Sequence, residues 1–327
     1  MNIAIIGSGS WGIALAIHLE RLGHNVKTWA FLQEEADSIN FDKKCKLLPD
    51  AVIGENIKVY TNIEEVVRDT DIILHVTPSK HVRSTIEKYK DFVQNQPIIM
   101  CSKGMEESTL LTLNEVVKQE LPNVKYGVFS GPSHAEEVSQ NIPTAIVIAS
   151  EDDELCKLVQ DTFMCETMRI YTSNDVVGVE LGGSLKNIIA FCAGIITELK
   201  LGDNTFAALI TRGLAEIKRL GIAMGAKQDT FYGLSCLGDL IATGMSQHSR
   251  NRKAGILIGK GYSIEETQKE VGMVIESIDN IEVAHNLAKK YNVEMPIVNT
   301  VYDVLHNNLD PKEAVNILMT REGKKED

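Results

Sequence analysis

Hydrophobic positions in the first half of the chain fall in short runs: Ile3–Ile6, Val26–Trp29, Ile72–Val76, Ile98–Cys101, Tyr126–Phe129, Ala145–Ile148 and Arg169–Tyr171. Stretches with helical spacing lie between many of them, among them Trp11–Leu22, Lys80–Phe92, Leu110–Glu120 and Glu154–Phe163. Strand runs without clean alternation, separated by helices, predict a mostly parallel sheet covered on both faces. From about Asp175 the β signal stops, and Asp175–Leu199, Thr205–Met224, Ile264–Val271, Ser277–Tyr291, Met295–Asn307 and Pro311–Met319 read as helices. The pattern predicts an α/β chain with a doubly wound sheet over residues 1–178 and an all-helical C-terminal domain over residues 179–327. No Pro- or Ser-rich linker marks the join, so tight packing of the two is expected. The polar tail Arg321–Asp327 is expected to fray.

The most apolar window, Val176–Leu199, contains Glu180, Lys186 and Glu198. A bilayer-spanning helix tolerates such residues poorly, so a buried helix is expected, without membrane insertion. The 327 residues suit two domains and a large core. A net charge of −12 argues against non-specific binding to nucleic acid or acidic membranes. It leaves a small anionic substrate open, because a few local cations outweigh the global field. The six cysteines form no C-x-x-C pair and sit in apolar runs, as reduced cysteines do. Met1-Asn2-Ile3-Ala4 carries no basic leader segment. Both features predict a cytoplasmic location.

Gly7-Ser8-Gly9-Ser10-Trp11-Gly12 is a G-x-G-x-x-G motif that follows an apolar strand and opens a helix ending before Gly23. That context is the one a Rossmann-type dinucleotide site requires. Gly7 permits the tight turn, Gly9 lets the backbone approach a pyrophosphate, and Gly12 lets helix and strand pack closely. The free N–H groups of the helix start then face the phosphates. The second strand ends at Trp29-Ala30-Phe31-Leu32, with neither the acid typical of NAD sites nor the arginine typical of NADP sites. Glu34 is the nearest acid, and the choice of cofactor stays open.

Cys101-Ser102-Lys103-Gly104 and Ser130-Gly131-Pro132-Ser133 each follow a strand, where ligands bind in doubly wound sheets. Lys103 is either an anion ligand or a solvated loop lysine, and Gly131 and Ser133 alone could be turn residues. The sharpest signal is Lys186, in a helix apolar on nearly every face. Burying an ammonium is costly unless it finds partners or loses its proton. It is either a general acid–base or half of an ion pair with Glu180 or another carboxylate. Ser246-Gln247-His248-Ser249-Arg250-Asn251-Arg252, after Leu237-Gly238-Asp239-Leu240, is either a phosphate or carboxylate site near a loop or helix start or a solvated basic turn.

Taken together, Gly7–Gly12, Cys101–Gly104, Ser130–Ala135, Gly182–Asn187, Thr211–Leu214, Gly238–Leu240 and Ser249–Asn251 resemble bacterial NAD(P)-dependent glycerol-3-phosphate dehydrogenase, from Met1 to about Met319. The resemblance implies an NAD(P)H cofactor, no metal, and interconversion of dihydroxyacetone phosphate and sn-glycerol 3-phosphate, feeding phospholipid synthesis. It implies that Ser10, Trp11, Ala135, Val274 and Glu276 contact cofactor with the glycine loop. Lys103, Gly131 and Ser133 would line the join of cofactor and substrate, and Lys186 would donate and accept the proton. Asp239, Ser249, Arg250 and Asn251 would bind substrate, with Arg250 also reaching the cofactor. The family usually has basic or polar residues near Phe31 and Leu32. It often has Phe at His134, read here as a neutral change. A β-hydroxyacid or 6-phosphogluconate dehydrogenase relative is the nearest alternative, and a non-catalytic NAD(P) sensor the next. A homodimer is the default assembly, from the general frequency of twofold oligomers.

Overall fold

A computed structural model describes residues 1–323, 325 and 326. Of the polar tail, Lys324 and Asp327 lie outside the described residues, and the described remainder beyond Arg321 carries no helix or strand. The first half runs β1 (Asn2–Ile6), α1 (Ser10–Arg21), β2 (Asn25–Trp29), α2 (Gln33–Phe41), β3 (Lys58–Tyr60), α3 (Ile63–Val67), β4 (Ile72–His75), α4 (Val82–Tyr89) and β5 (Ile98–Met100). A small hairpin, β6 (Met105–Glu106) and β7 (Leu111–Thr112), precedes α5 (Leu113–Glu120). Then come β8 (Tyr126–Ser130), α6 (Ala135–Ser139), β9 (Thr144–Ala149), α7 (Asp153–Phe163) and β10 (Met168–Ser173). The remainder is helical: α8 (Val176–Glu198), α9 (Gly202–Ala223), α10 (Asp239–Met245), α11 (Arg250–Gly259), α12 (Ile264–Val271), α13 (Glu276–Tyr291), α14 (Pro296–His306) and α15 (Pro311–Met319).

Eight strands form one sheet in the order β10-β9-β8-β5-β4-β1-β2-β3. All neighbours pair in parallel except β8 and β9. The centre is buried along its whole length, as β4, β5 and β8 show, which is why those strands read as continuous apolar runs. The outer strand β10 alternates instead, with Met168 and Ile170 inward and Arg169 and Tyr171 exposed.

One apolar cluster joins one face of the sheet to α1, α2 and α7, and a second joins the other face to α3, α4 and α5. The helical half has its own cluster. Helix α8 ties the halves together: Val176 and Val179 pack under the sheet, while Leu181 to Ile196 belong to the helical core. Though α8 is long and apolar enough to cross a membrane, its most apolar stretch is buried inside the protein. Its neighbour α11 approaches it backbone to backbone. A Cβ on Gly194 would collide with the Arg252 carbonyl, and one on Gly255 with the Phe191 carbonyl.

The helix expected over Leu110–Glu120 starts only at Leu113. Thr112 and Glu115 form a capping box there, and Leu110 turns the hairpin with φ 59°. Strand β3 and the hairpin are too short to make a run. Helix α2 has only Ala36 and Ile39 buried, so its apolar stripe is thin.

Candidate functional site

The glycine loop has the geometry its spacing demands. Gly7 sits at φ +128°, and a Cβ there would lie 3.1 Å from the Val76 carbonyl at the end of β4. A Cβ on Gly12 would collide with the Gly7 carbonyl, so only glycine lets α1 start this close to β1. Around Gly9 there is open space, with nothing within 4 Å of a Cβ. Gly9 caps α1 with no side-chain bond, which leaves the first N–H groups of α1 free for phosphate oxygens. Ser10 and Trp11 form the first turn, with Trp11 packed on the sheet cluster. These residues fit a dinucleotide: a tight turn, an open backbone cradle and uncapped donors.

Lys186 lies on α8 where the chain is apolar around it, and only 5% of its side chain is exposed. Its ammonium donates to Oδ1 of Asp239 at 3.0 Å and to Oγ1 of Thr243 at 2.5 Å. The buried pair is therefore with Asp239, on α10. Glu180 faces elsewhere, accepting from the Asn114 N–H at 2.9 Å and the Tyr126 hydroxyl at 2.5 Å. A five-residue π-helical segment, Leu234–Gly238, leads into Asp239. Such segments often sit at functional sites because they re-aim the following side chain.

Lys103, on the loop after β5, donates to Oδ2 of Asp239 at 2.6 Å and to the Gly131 carbonyl at 3.0 Å. One carboxylate thus holds two ammoniums. Burial pushes the Asp239 carboxyl up, and the charges of Lys103 and Lys186 outweigh it, holding the group below its ordinary value. Burial brings Lys186 down; Asp239 opposes this and Lys103 reinforces it, leaving the ammonium at about 8. A cation that parts with its proton near neutrality is suited to acid–base work.

Glycines make this cluster compact. A Cβ on Gly183 would lie 2.5 Å from the Ser130 hydroxyl, and one on Gly182 2.8 Å from Cys236, which precedes Asp239. Gly131 turns at φ +157° and accepts from the Ser133 hydroxyl at 3.0 Å. Ala135 opens α6 and is buried.

Ser249 caps α11 by accepting from the Arg252 N–H. Arg250 is exposed and donates to the Val274 carbonyl at 3.2 Å. Asn251 donates to Asn187, next to Lys186, at 3.0 Å and accepts from the Ser277 N–H. Glu276, at the start of α13, accepts from Ser79 on the sheet side at 2.8 Å, and burial holds its carboxyl above the ordinary range. The expected residues therefore fall into a lysine–aspartate cluster, an α11 cluster joined to it through Asn187–Asn251, and the glycine loop. Val76, beside Gly7, leads to Ser79 and so to Glu276.

Sequence reasoning missed Thr243, Asn187, Ser79 and His134. Thr243 follows Asp239 at the i,i+4 spacing of one helix face, a signal that was legible. His134 Nε2 is buried with no hydrogen-bond partner among the described residues, and the ring stands 6.1 Å from that of His248. His134 thus brings an imidazole within electrostatic reach of Lys186 and Asp239.

Comparison with known proteins follows this geometry. The family model for the N-terminus of NAD-dependent glycerol-3-phosphate dehydrogenase matches residues 2–156, and that for its C-terminus residues 175–316. The chain is 49% identical over 330 residues to a glycerol-3-phosphate dehydrogenase (NAD(P)+) of Fusobacterium nucleatum, covering 100% of this chain and 98% of the relative. It is 50% identical over 332 residues to one from Lactobacillus delbrueckii subsp. bulgaricus, with 99% and 98% covered. The crystal structure of the Coxiella burnetii glycerol-3-phosphate dehydrogenase superposes with a TM-score of 0.95 at 39% identity, covering 98% of this chain and 99% of that one. A 2-dehydropantoate 2-reductase of Methylococcus capsulatus, 12% identical with a TM-score of 0.62 over 98% of this chain and 99% of that one, shares the fold alone.

Proposed function

The chain belongs to the NAD-dependent glycerol-3-phosphate dehydrogenase family, and from that premise we propose how its residues divide the reaction. It is an NAD(P)-dependent oxidoreductase interconverting dihydroxyacetone phosphate and sn-glycerol 3-phosphate. Residues 1–178 form the dinucleotide-binding domain and residues 179–327 the substrate domain. Gly7, Gly9, Ser10, Trp11 and Gly12 hold the cofactor with Ala135, Val274 and Glu276. When bound, the nicotinamide supplies a hydride for the ketone carbon.

Lys186 gives its proton to the carbonyl oxygen as negative charge develops there, and in the reverse direction its neutral amine takes the hydroxyl proton. Asp239 positions both lysines, and Lys103 adds a second positive charge beside Gly131 and Ser133. Arg250 and Asn251, at the start of α11 capped by Ser249, anchor the phosphate, with Arg250 also reaching the cofactor. A charge held at the far end of a small substrate helps orient its reacting carbon.

What supports this reading above all is the buried Lys186–Asp239–Lys103 cluster, which a cofactor sensor would not need. The test is to mix protein, NADH or NADPH and dihydroxyacetone phosphate and follow nicotinamide absorbance. Loss of absorbance that depends on the triose phosphate is expected, and its absence would overturn the reading. The cellular role is supply of glycerol 3-phosphate for phospholipid synthesis, in the cytoplasm, where six free thiols suit a reducing environment. A homodimer without nucleic-acid or membrane attachment is the accompanying assembly.

A further inference from the structure

The end of β2 carries neither a ribose-binding acid nor an arginine, yet two helices deliver opposite charges to it. From α2, Glu35 reaches back to the glycine loop and accepts from the Ser8 hydroxyl at 3.0 Å. From α4, Lys88 lays its ammonium 4.7 Å from the ring centre of Phe31 and 5.6 Å from that of Trp29. Phe31 is 69% exposed, and its ring meets Trp29 edge-on at 6.2 Å. No carboxylate among the described residues pairs with Lys88.

The two charges come from opposite sides. Helix α2 packs Ala36 and Ile39 into the cluster that holds α1, whereas Trp29 packs with Val82 and Ile86 of α4 on the other face. Between them lies the ground above the second strand, where a doubly wound sheet seats the adenosine ribose of a dinucleotide. A carboxylate on the glycine-loop side accepts from ribose hydroxyls and repels a phosphate. An ammonium resting on an exposed ring is held by a weak contact, which a charge-assisted bond to a phosphate outweighs.

We propose that Glu35 and Lys88 together set the choice between NADH and NADPH, Glu35 taking the ribose hydroxyls of NADH and Lys88 the 2′-phosphate of NADPH. This rests on the cofactor role of the glycine loop given above. Two opposed determinants explain how one site admits both cofactors while its strand end selects neither.

The test is titration of nicotinamide fluorescence, without substrate, on the full chain and on Glu35→Gln and Lys88→Met. Both positions are exposed, so folding should be unaffected. Glu35→Gln should weaken NADH by about tenfold while leaving or tightening NADPH, and Lys88→Met should weaken NADPH by about tenfold with NADH unchanged. The ratio of the two dissociation constants then moves in opposite directions. A ratio within about twofold of the parent in either variant would overturn the assignment. A parent chain that binds neither nucleotide would overturn the cofactor reading and this assignment with it.

Discussion

Lys186 and Asp239 form an ion pair at 3.0 Å with side-chain exposures of only 5% and 3%. Because Lys103 holds the other carboxylate oxygen, Asp239→Asn would leave two ammoniums beside a neutral amide. Breaking a buried pair from one side costs on the order of 3–5 kcal/mol. Calorimetry should show a lower Tm, together with loss of ketone reduction at neutral pH. An unchanged Tm would mean that the pair contributes little to the fold.

Lys186→Met keeps the length of the side chain and removes the proton. Turnover of dihydroxyacetone phosphate should fall by at least about a hundredfold, the scale of lost acid catalysis. The affinity for NADH, read by fluorescence, should change little. Near-normal turnover would assign the proton to another group.

With Lys186 at about 8 and acting as the proposed acid–base, the two directions of the reaction should have opposite pH dependence. In the proposed mechanism reduction uses the protonated amine, so its kcat should be level below about 8 and fall above it. Oxidation uses the neutral amine, so its kcat should rise with pH and level off above about 8. Profiles of kcat in both directions check this, and two profiles bending the same way would contradict the role of Lys186.

Arg250→Ala should raise the KM for dihydroxyacetone phosphate sharply, by about tenfold or more if one charge-assisted bond to phosphate is lost. Unphosphorylated dihydroxyacetone has no phosphate to lose and should be affected much less. Equal damage to both substrates would assign Arg250 to cofactor binding or folding.

Burial pushes Glu180 up to about 7 from an ordinary 4.5, against the bonds from Tyr126 and Asn114. A carboxyl that holds its proton more tightly when folded gives its full stability below about 4.5 and loses it as pH rises to about 7. Gln in its place keeps an oxygen for both donors and has no charge to bury. Urea unfolding of Glu180→Gln should therefore show a shallower loss of stability over that window. A slope equal to the parent's would place the proton elsewhere.

The sheet and the glycine loop were legible because their signals are local. Strands buried on both faces make unbroken apolar runs, and the loop is contiguous in sequence. The partner of Lys186 was not legible, because Asp239 lies 53 positions away. Glu180 is nearer in sequence, but a separation of six places it on a different face of α8. The acid that faces the glycine loop was hidden for a related reason. The strand end itself carries no acid, and Glu35 comes from the first turn of the next helix instead.

Gly194 and Gly255 let the main chains of α8 and α11 touch, and those helices carry Lys186 and the Ser249–Asn251 block respectively. On the roles proposed for Lys186 and Arg250, the span from proton donor to phosphate anchor would be gauged by two backbones in contact. The pair would then act as a caliper for chain length. A phosphorylated ketone one carbon longer should then satisfy one jaw at a time, and the ratio of kcat/KM between it and dihydroxyacetone phosphate would read the setting. Any side chain added at either glycine opens the jaws and should shrink that ratio.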